Sequence, residues 1–463
     1  MEALRLFECF KNRRACRRVL AWCSHGVRLR SFSMADLSIP ISSEAVQRPV
    51  VNKVFRRLIP FLFILYVVNY LDRINVGFAA LDMNRELGLS ATTFGIAGSI
   101  LYVGYVLFEV PSNLMMARFG ARIWLARIMI CWGLTSAAMM FVATATHLYV
   151  ARVFLGIFEA GFTPGVILYL TFWIPSSDRA RANGLMIMGQ AVAMLIGSGG
   201  SGLILEHMNG VWGLSGWRWM FLIEGLPAVI LGVITYFYLD NQPSEATWLT
   251  KSEIDQLQAE LGPRPKVKAS LAIFNAKILM LGAVYFCLCN TLSANQTWTP
   301  TIMREVMSAY SLSSVGFVAA IPPLVALLAI PLWARSSDRL KDRHWHVVAA
   351  FLIAFSGWMI VINGQGPILR LIGLALSTAG SLSAMVVFWA IPQTFLSQST
   401  QPAGIALINA IGLVGSGISP FTIGFLKDLT HSFSAGIIYV ATLLIIGSII
   451  LAFMSPQLSR KTA

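Results

Sequence analysis

The sequence predicts an all-α integral membrane protein whose twelve transmembrane helices form two six-helix, pseudo-symmetric bundles. The first observation is the composition: of 463 residues, 56% are hydrophobic and only 12% are charged, whereas a soluble domain carries roughly 25% charged residues. The second is that the apolar residues fall in blocks of roughly twenty, the length that crosses a hydrocarbon core. The third is a charged stretch that separates six such blocks from six more.

Each apolar block is expected to form a helix, because a backbone surrounded by lipid must satisfy its own hydrogen bonds. Six blocks run at about 58–80, 93–116, 122–142, 147–170, 181–205 and 217–239. Six more run at about 273–297, 313–334, 346–363, 367–391, 403–426 and 434–455. We therefore divide the chain into a leader at 1–50, an N-terminal bundle at 51–240, a linker at 241–272 and a C-terminal bundle with a short tail at 273–463.

The basic residues predict the orientation of the chain. The formal net charge is +14, but the basic residues lie at the chain start and between the apolar blocks, not on a surface suited to nucleic acid. Cytoplasmic loops of membrane proteins carry an excess of Lys and Arg, and here the connections after the second, fourth and eighth blocks do. We expect a monomer in the bacterial inner membrane, with both termini and the linker in the cytoplasm and no nucleic-acid partner.

The first 33 residues form a basic leader with eight basic and two acidic side chains. An arginine-rich, acid-poor start resembles an organelle transit peptide. The alternative is an upstream start codon, with Met34 as the true first residue, and the ordinary polar segment after Met34 favours it. We predict that residues 1–50 are disordered and cytoplasmic.

Four ionisable side chains are predicted to lie inside the first and fourth helices, where each costs roughly 2.5–3.5 kcal/mol on insertion scales. Asp72 and Arg73 are neighbours and point about 100° apart, so each should meet a partner on another helix. Arg152 and Glu159 are seven residues apart and share one helical face, about 10 Å from each other. The corresponding blocks of the second half carry no such charges near mid-depth.

These residue types suit a site that binds a small organic anion together with protons. An arginine grips a carboxylate with two hydrogen bonds, and a carboxylate in a partly dry cavity can carry a proton. The alternative is a structural network of ion pairs between helices. No metal and no cofactor is expected.

Three motifs of the first half resemble the anion:cation symporters of the major facilitator superfamily. They are the stretches 69–75 (NYLDRIN), 159–165 (EAGFTPG) and 179–182 (RARA). That group includes bacterial carriers for galactonate, tartrate and phthalate. The resemblance covers nearly the whole chain after about residue 50, and it implies the two-bundle fold and import of an organic carboxylate by proton symport.

The resemblance also implies roles for individual residues. It makes Asp72 and Glu159 the proton-coupling residues, Arg73 the arginine that binds the substrate, and Arg152 a modulator of Glu159. Further positions that match the family's cavity lining are Tyr70, Tyr105, Gln190, Trp389 and Asn409.

Two loops resemble the gating motif of the superfamily. The signature G-x-x-x-D-R-x-G-R between helices two and three is incomplete, because Asn113 and Ala117 replace its first glycine and its aspartate. The residues to which we assign a gating role in this loop and in the loop between helices eight and nine are Arg118, Gly120, Arg122, Asp338 and Arg339.

The second half resembles bacterial 4-hydroxyphenylacetate permeases in the stretches 285–288, 290–294, 298–300, 320–322, 337–341, 408–412 and 432–434. This resemblance implies an aromatic acid as substrate. Its ring would face Phe388, Trp389 and Trp298, and Gln190 or Asn409 would bond a ring hydroxyl. The alternative is an aliphatic hydroxy or sugar acid, such as tartrate or galactonate, with the aromatic residues only packing helices.

Other features of the sequence favour structural roles, and the sequence gives little support to other functional classes. Glu109 and Glu224 lie toward opposite ends of their helices, and we interpret both as structural. The run Gly197–Gly202 fits G-x-G-x-x-G, but it lies inside a membrane helix and indicates close helix packing. A membrane-embedded enzyme would need a nucleophile beside a base, and a sensor would need a soluble domain. Neither feature is evident in the sequence.

Overall fold

The computed structural model describes residues 49–261, 276–394, 396 and 401–459, and the described chain is built of helices. The helices of the N-terminal bundle are α1 (Pro49–Glu86), α2 (Ala91–Phe119), α3 (Ala121–Ala138), α4 (Ala145–Glu159), α5 (Phe162–Trp173), α6 (Ser176–His207) and α7 (Gly216–Tyr238). Helix α8 (Lys251–Leu261) lies in the linker. Those of the C-terminal bundle are α9 (Ala276–Val306), α10 (Leu312–Ala319), α11 (Ile321–Leu340), α12 (His344–Asn363), α13 (Pro367–Phe388), α14 (Gln401–Thr430) and α15 (Ser434–Ser459).

Within the described residues, twelve spans are long and apolar enough to cross a membrane. Helices α4 and α5 together make the fourth span, and α10 and α11 make the eighth. The predicted fold class and its twelve membrane helices are therefore confirmed. The predictions for the leader, including Met34, and for the second part of the linker lie outside the described residues.

The fourth span is broken in the middle. Helix α4 ends at Glu159, Ala160 is extended, and Gly161 has a left-handed φ of +86°. This conformation costs a residue with a Cβ roughly 1–2 kcal/mol, and a Cβ on Gly161 would also collide with the hydroxyl of Ser112. The break leaves the carboxylate of Glu159 at the end of a half-helix inside the bundle.

The two bundles are joined at the face of the molecule opposite the start of α1, which we call the distal face. Asp428 on α14 accepts hydrogen bonds from the backbone N–H groups of Ala91 (3.1 Å) and Thr92 (2.7 Å) at the start of α2. Glu206 on α6 accepts one from Ser313 N–H (2.8 Å) at the start of α10. Each carboxylate caps a helix N-terminus of the other bundle, where negative charge is favoured. These contacts hold the distal face closed.

Small residues bring the backbones of the two bundles close together at the distal face. A Cβ on Gly202 of α6 would lie 2.9 Å from both Gly316 Cα and Leu312 O of α10. A Cβ on Gly424 of α14 would collide with the carbonyl oxygen of Ala91. This confirms the interpretation of the glycine run that includes Gly202 as a close-packing surface.

The first turn of the linker helix α8 is anchored on the N-terminal bundle. Lys53 Nζ lies 2.9 Å from both carboxylate oxygens of Glu253, and this hydrogen bonding holds the pKa of Glu253 below its usual value. The guanidinium of Arg57 lies 4.8 Å from the ring centroid of Trp248 and 5.0 Å from that of Tyr238. The side of the membrane protein where α1 begins thus carries an ordered linker segment.

Candidate functional site

A buried ion pair between α1 and α4 lies at the break in the fourth span. Arg73 Nε and Nη2 each lie 2.6 Å from Glu159 Oε1. Asn69 Nδ2 donates to the same oxygen at 2.8 Å. Glu159 is only 1% exposed, and its Oε2 atom is buried without a hydrogen-bond partner. One carboxylate oxygen is therefore saturated, and the other has unused capacity to accept a proton or a hydrogen bond.

Two tyrosines flank the guanidinium of Arg73. Its Cζ atom lies 5.4 Å from the ring centroid of Tyr70 and 5.0 Å from that of Tyr105. A cation–π contact of this kind contributes about 0.5–2 kcal/mol, more when it is desolvated. The structure thus places three predicted site residues, Tyr70, Tyr105 and Glu159, around the guanidinium of a fourth, Arg73.

Asp72 points away from Arg73 into the bundle. It accepts hydrogen bonds from the hydroxyl of Ser136 on α3 and from Asn75 Nδ2 at 3.1 Å. The residue is 2% exposed, and its Oδ2 atom is buried without a partner. This confirms the prediction that Asp72 and Arg73 diverge and that each meets a residue of another helix.

Arg152 lies near both carboxylates without forming a direct ion pair in the described residues. It is 3% exposed, its Nε donates to Ala97 O at 3.1 Å, and its Nη1 is buried without a hydrogen-bond partner. Both carboxylates lie within electrostatic range of its guanidinium. The role of Arg152 as modulator of Glu159 stays a prediction.

The remaining predicted binding residues are Trp389, Asn409 and Gln190, and their surroundings differ. The ring of Trp389 contacts that of Tyr285 edge-on at 4.8 Å. Asn409 Nδ2 donates to Glu109 Oε1 at 3.3 Å. Gln190 on α6 is 2% exposed, and its Oε1 atom is buried without a hydrogen-bond partner.

Glu109 is a residue that sequence reasoning assigned to structure alone. Its bond to Asn409 joins α2 to α14, one from each bundle, and Glu109 also interacts electrostatically with Arg73. The sequence feature that could have identified Glu109 is its position four residues after Tyr105, on the same helical face.

All three rings expected to face an aromatic substrate contact other rings, and two of them are almost completely buried. Phe388 is fully buried and stacks on Tyr285 at 5.0 Å. Trp298 is 1% exposed and lies edge-on between Phe94 (5.4 Å) and Phe433 (5.3 Å). The interpretation of Trp298 as a cavity residue is therefore not supported by its contacts. Of the three, Trp389 is the one whose side chain is partly accessible.

The predicted gating loops make their named contacts within each bundle. Gly120 has a left-handed φ of +88° and separates α2 from α3, beginning a turn in which Arg122 N–H donates to Asn241 Oδ1 at 3.0 Å. Arg122 Nε also donates to Tyr236 O at 2.5 Å. Arg118 lies in the last turn of α2, Arg339 lies in that of α11, and Asp338 pairs with Arg343 at 3.7 Å.

Comparison with known proteins identifies the family. The sequence profile described as the Major Facilitator Superfamily matches residues 62–420. The chain belongs to the major facilitator superfamily. It is 43% identical over 417 residues to a "Putative tartrate transporter" of Agrobacterium vitis, covering 88% of this chain and 92% of the relative. It is 37% identical to the "Putative metabolite transport protein NicT" of Pseudomonas putida, covering 89% and 95%.

A solved structure has the same fold. It is a bacterial homologue of the human lysosomal transporter Spinster in an inward-facing, occupied conformation, with a TM-score of 0.69 and 17% sequence identity. The match covers 86% of this chain and 96% of that one. At this identity the likeness concerns the fold alone, and it agrees with the two six-helix bundles of this major facilitator protein.

Proposed function

We propose that this chain is a secondary active transporter that imports a small organic carboxylate by proton symport. The observation that carries the proposal is the Arg73–Glu159 pair, buried at a broken membrane span beside Tyr70 and Tyr105. Secondary carriers bind their cargo near the midplane, between two bundles, at breaks of this kind.

The pair couples an anion to a proton by simple exchange. When Glu159 takes up a proton, Arg73 loses its counter-charge. An uncompensated buried charge costs about 3–5 kcal/mol, so a substrate carboxylate is drawn to Arg73 in place of Glu159. By linkage, each ligand raises the affinity for the other by the same factor. Proton and anion therefore enter together, and the buried net charge stays the same.

Asp72 supplies a second proton site in this scheme. It is buried and has one unpartnered oxygen, and Arg152 lies in electrostatic range of both carboxylates. A change of charge at Asp72 therefore alters the electrostatic energy of Arg152, which in turn acts on Glu159. The alternative is a structural network of ion pairs that takes no part in transport. Substitutions at Arg73 and Glu159 distinguish the two possibilities.

We propose an aliphatic hydroxy acid such as tartrate as the substrate. The relatives named as tartrate transporters at 43% identity support this reading. So does the packing of Phe388 and Trp298 against other rings. Gln190 and Asn409 offer amide groups to hydroxyls of the substrate. Asn409 would release its hydrogen bond to Glu109 and bond a substrate hydroxyl instead. The aromatic acid expected from the sequence is the second outcome of the test.

The experiment is uptake by liposomes that contain the purified carrier, after an inwardly directed proton gradient is imposed. Labelled tartrate is competed with unlabelled galactonate, phenylacetate and 4-hydroxyphenylacetate. We expect saturable tartrate uptake that the aromatic acids do not inhibit. Saturable uptake of 4-hydroxyphenylacetate without tartrate uptake would overturn the substrate. Uptake of none of them would overturn the carrier assignment.

The proposal includes the setting of the carrier. We place it in the bacterial inner membrane as a monomer, with both termini and the linker in the cytoplasm. The support is the distribution of basic residues, among them Arg118, Arg122, Arg339 and Arg343 at the same face. The distal face then faces outward, and the structure corresponds to a state closed to the outside. A protease site engineered after residue 459 should be cleaved only from the cytoplasmic side.

A further inference from the structure

A small polar cavity lies between the two bundles, and the site described above does not use it. Helices α1 and α6 of the N-terminal bundle line one wall, and α9, α10, α11 and α13 of the C-terminal bundle line the other. Among the described residues, the polar side chains of the lining are all neutral: Ser198, Asn295, Gln296, Thr299 and Thr378. Hydroxyl and amide groups both donate to and accept from alcohol groups, whereas a buried carboxylate needs a positive partner.

Thr299 on α9 has a hydroxyl group that is buried without a hydrogen-bond partner among the described residues. The residue lines the cavity and is 7% exposed. A buried hydroxyl group without a partner destabilises the fold, and a valine of the same shape would avoid this cost. The nearby amide of Asn295, one turn earlier on the same helical face, is held by Ser377 Oγ on α13 at 3.1 Å. The Thr299 hydroxyl is therefore the lining group with unused capacity to bind a ligand.

The break in the eighth span brings a backbone carbonyl to the same cavity. Helix α10 ends at Ala319, and α11 begins at Ile321 with Pro322 and Pro323 directly after it. A proline has no N–H group, so Pro323 cannot donate the usual helical hydrogen bond to the carbonyl of Ala319, four residues earlier. Ala319 and both prolines line the cavity. In secondary carriers, interrupted helices of this kind present backbone groups to the cargo.

The cavity lies about one helical turn from the level of Arg73, toward the distal face. Ile74 and Phe78, one and five residues after Arg73, line it. Gly77 is four residues after Arg73, on the same face of α1 and about 6 Å nearer the distal face. A Cβ at Gly77 would lie 2.8 Å from Gln296 O, so this face of α1 meets the α9 backbone at the level of the cavity.

The cavity is too narrow for an organic acid in this structure, in which the caps at Asp428 and Glu206 hold the distal face closed. Its two walls belong to different bundles, so the rocking motion that opens the distal face also widens the cavity. An acid that arrives from the distal face then meets the cavity on its way to Arg73.

We propose that this cavity is a distal subsite that binds hydroxyl groups of the transported acid, with Thr299 as the residue that selects for them. In the state open at the distal face, the Thr299 hydroxyl and the Gln296 amide bond the alcohol groups while Arg73 holds a carboxylate. A site built to bond a hydroxyl group rejects analogues that lack it, because its own polar groups are then left without a partner. This inference rests on the proposed import of a hydroxy acid.

The first test removes the hydroxyl group of Thr299 without changing the shape of the side chain. We expect Thr299→Val to raise the half-saturation concentration of proton-driven tartrate uptake in liposomes about tenfold, the effect of losing one good hydrogen bond. The inhibition constant of succinate, which has the same carbon chain without hydroxyl groups, should not change. Thr299→Ser keeps the hydroxyl group and should stay within about threefold of the wild type.

Thr301→Val is the matched control. The hydroxyl of Thr301 is also buried without a partner among the described residues, but Thr301 does not line the cavity. Neither valine variant should lower the melting temperature in detergent, because each removes a buried polar group that has no partner. An unchanged half-saturation concentration in Thr299→Val would overturn the subsite. Equal weakening of tartrate and succinate binding, with a lower melting temperature, would overturn it in favour of a packing role.

Protection of a cysteine probes the cavity directly and does not depend on transport. Ser198→Cys places a thiol on the α6 wall, and the wild type measures the reaction of the native cysteines. With tartrate at about ten times its dissociation constant, measured by equilibrium dialysis, alkylation of this thiol by iodoacetamide should slow about tenfold.

Unslowed alkylation in the presence of bound tartrate would overturn the subsite. Protection by tartrate without any proton-driven uptake in the wild type would overturn the proposed symport and leave the subsite standing. A wild type that neither binds nor takes up tartrate would overturn both the subsite and the proposed substrate.

Discussion

At the scale of single residues, the proposed substrate binding would depend on the shape of the Arg73 guanidinium. Arg73→Lys keeps the charge but replaces a planar fork with a point charge, so one of two hydrogen bonds to a carboxylate is lost. A hydrogen bond to a charged group contributes about 1.5–3 kcal/mol. We therefore expect the half-saturation concentration of uptake to rise about 10- to 100-fold. The measurement is initial uptake against substrate concentration.

The control for this variant is Arg85→Lys, at the exposed end of α1, where the side chain is 85% exposed. It should leave the half-saturation concentration unchanged. An unaltered value in Arg73→Lys as well would mean that Arg73 pairs with Glu159 but does not bind the substrate.

Residue types were predictable here to a greater extent than residue contacts. The divergence of Asp72 and Arg73 follows from helical geometry and was found. The Arg73–Glu159 pair was not, because spacing along α4 only relates Glu159 to Arg152, and the contact with α1 depends on how the helices pack. The bond between Glu109 and Asn409 joins residues 300 positions apart, and no local pattern encodes it.

At the scale of the helices, the break between α4 and α5 positions Glu159. Gly161→Ala introduces strain at a left-handed backbone and a clash with Ser112. Gly210→Ala is a matched control, because φ there is +83° but nothing lies within 4 Å of the added Cβ. We expect Gly161→Ala to lower the melting temperature in detergent more than Gly210→Ala, by roughly 2–4 °C for each kcal/mol of clash. Equal melting temperatures would show that the break tolerates a side chain.

The glycine contact between α6 and α10 should set how readily the distal face closes. Gly202→Ala places a methyl group 2.9 Å from Gly316 Cα, whereas Gly200→Ala, two residues away, meets nothing within 4 Å. We expect Gly202→Ala to populate the state that is open at the distal face and to slow uptake. The distance between spin labels on the distal ends of α6 and α10 measures this. Identical distance distributions in the two variants would contradict it.

Helix existence was readable from hydropathy, but the interruption of the fourth span was not predicted. The block at 147–170 was interpreted as one helix. Gly161 followed three residues later by Pro164 is in fact typical of a helix end and a new helix start. The residues on both sides of the break are apolar, so hydropathy alone did not reveal the interruption.

At the scale of the whole molecule, the charge is unevenly divided between the bundles. Among the described residues, the buried charged side chains are Asp72, Arg152 and Glu159, all in the N-terminal bundle. This asymmetry was predicted from the sequence. Under the proposed symport, proton chemistry would be confined to the N-terminal bundle, and the C-terminal bundle would close over the substrate as the bundles rock.

The two proposed proton sites would determine the net charge that moves with the substrate. If Asp72 and Glu159 each carry one proton, a monoanion moves with a net charge of +1, worth about 2.3 kcal/mol per 100 mV. A dianion moves with none. We expect substrate-evoked current with any accepted monoanion and little current with dianionic tartrate, measured on a carrier-loaded solid-supported membrane. Uptake of a monoanion without current would show that only one proton travels.

The central claim is that Glu159 exchanges a proton for a substrate anion at Arg73. It is tested most directly by the accumulation of labelled tartrate in liposomes under an imposed inward proton gradient, with Asp255→Asn as control. We predict that the wild type and Asp255→Asn concentrate tartrate above its external level. Glu159→Gln, which mimics a permanently protonated acid, should exchange tartrate but not concentrate it. If Glu159→Gln still concentrates tartrate, or if wild-type uptake follows a sodium gradient and ignores pH, the account is wrong.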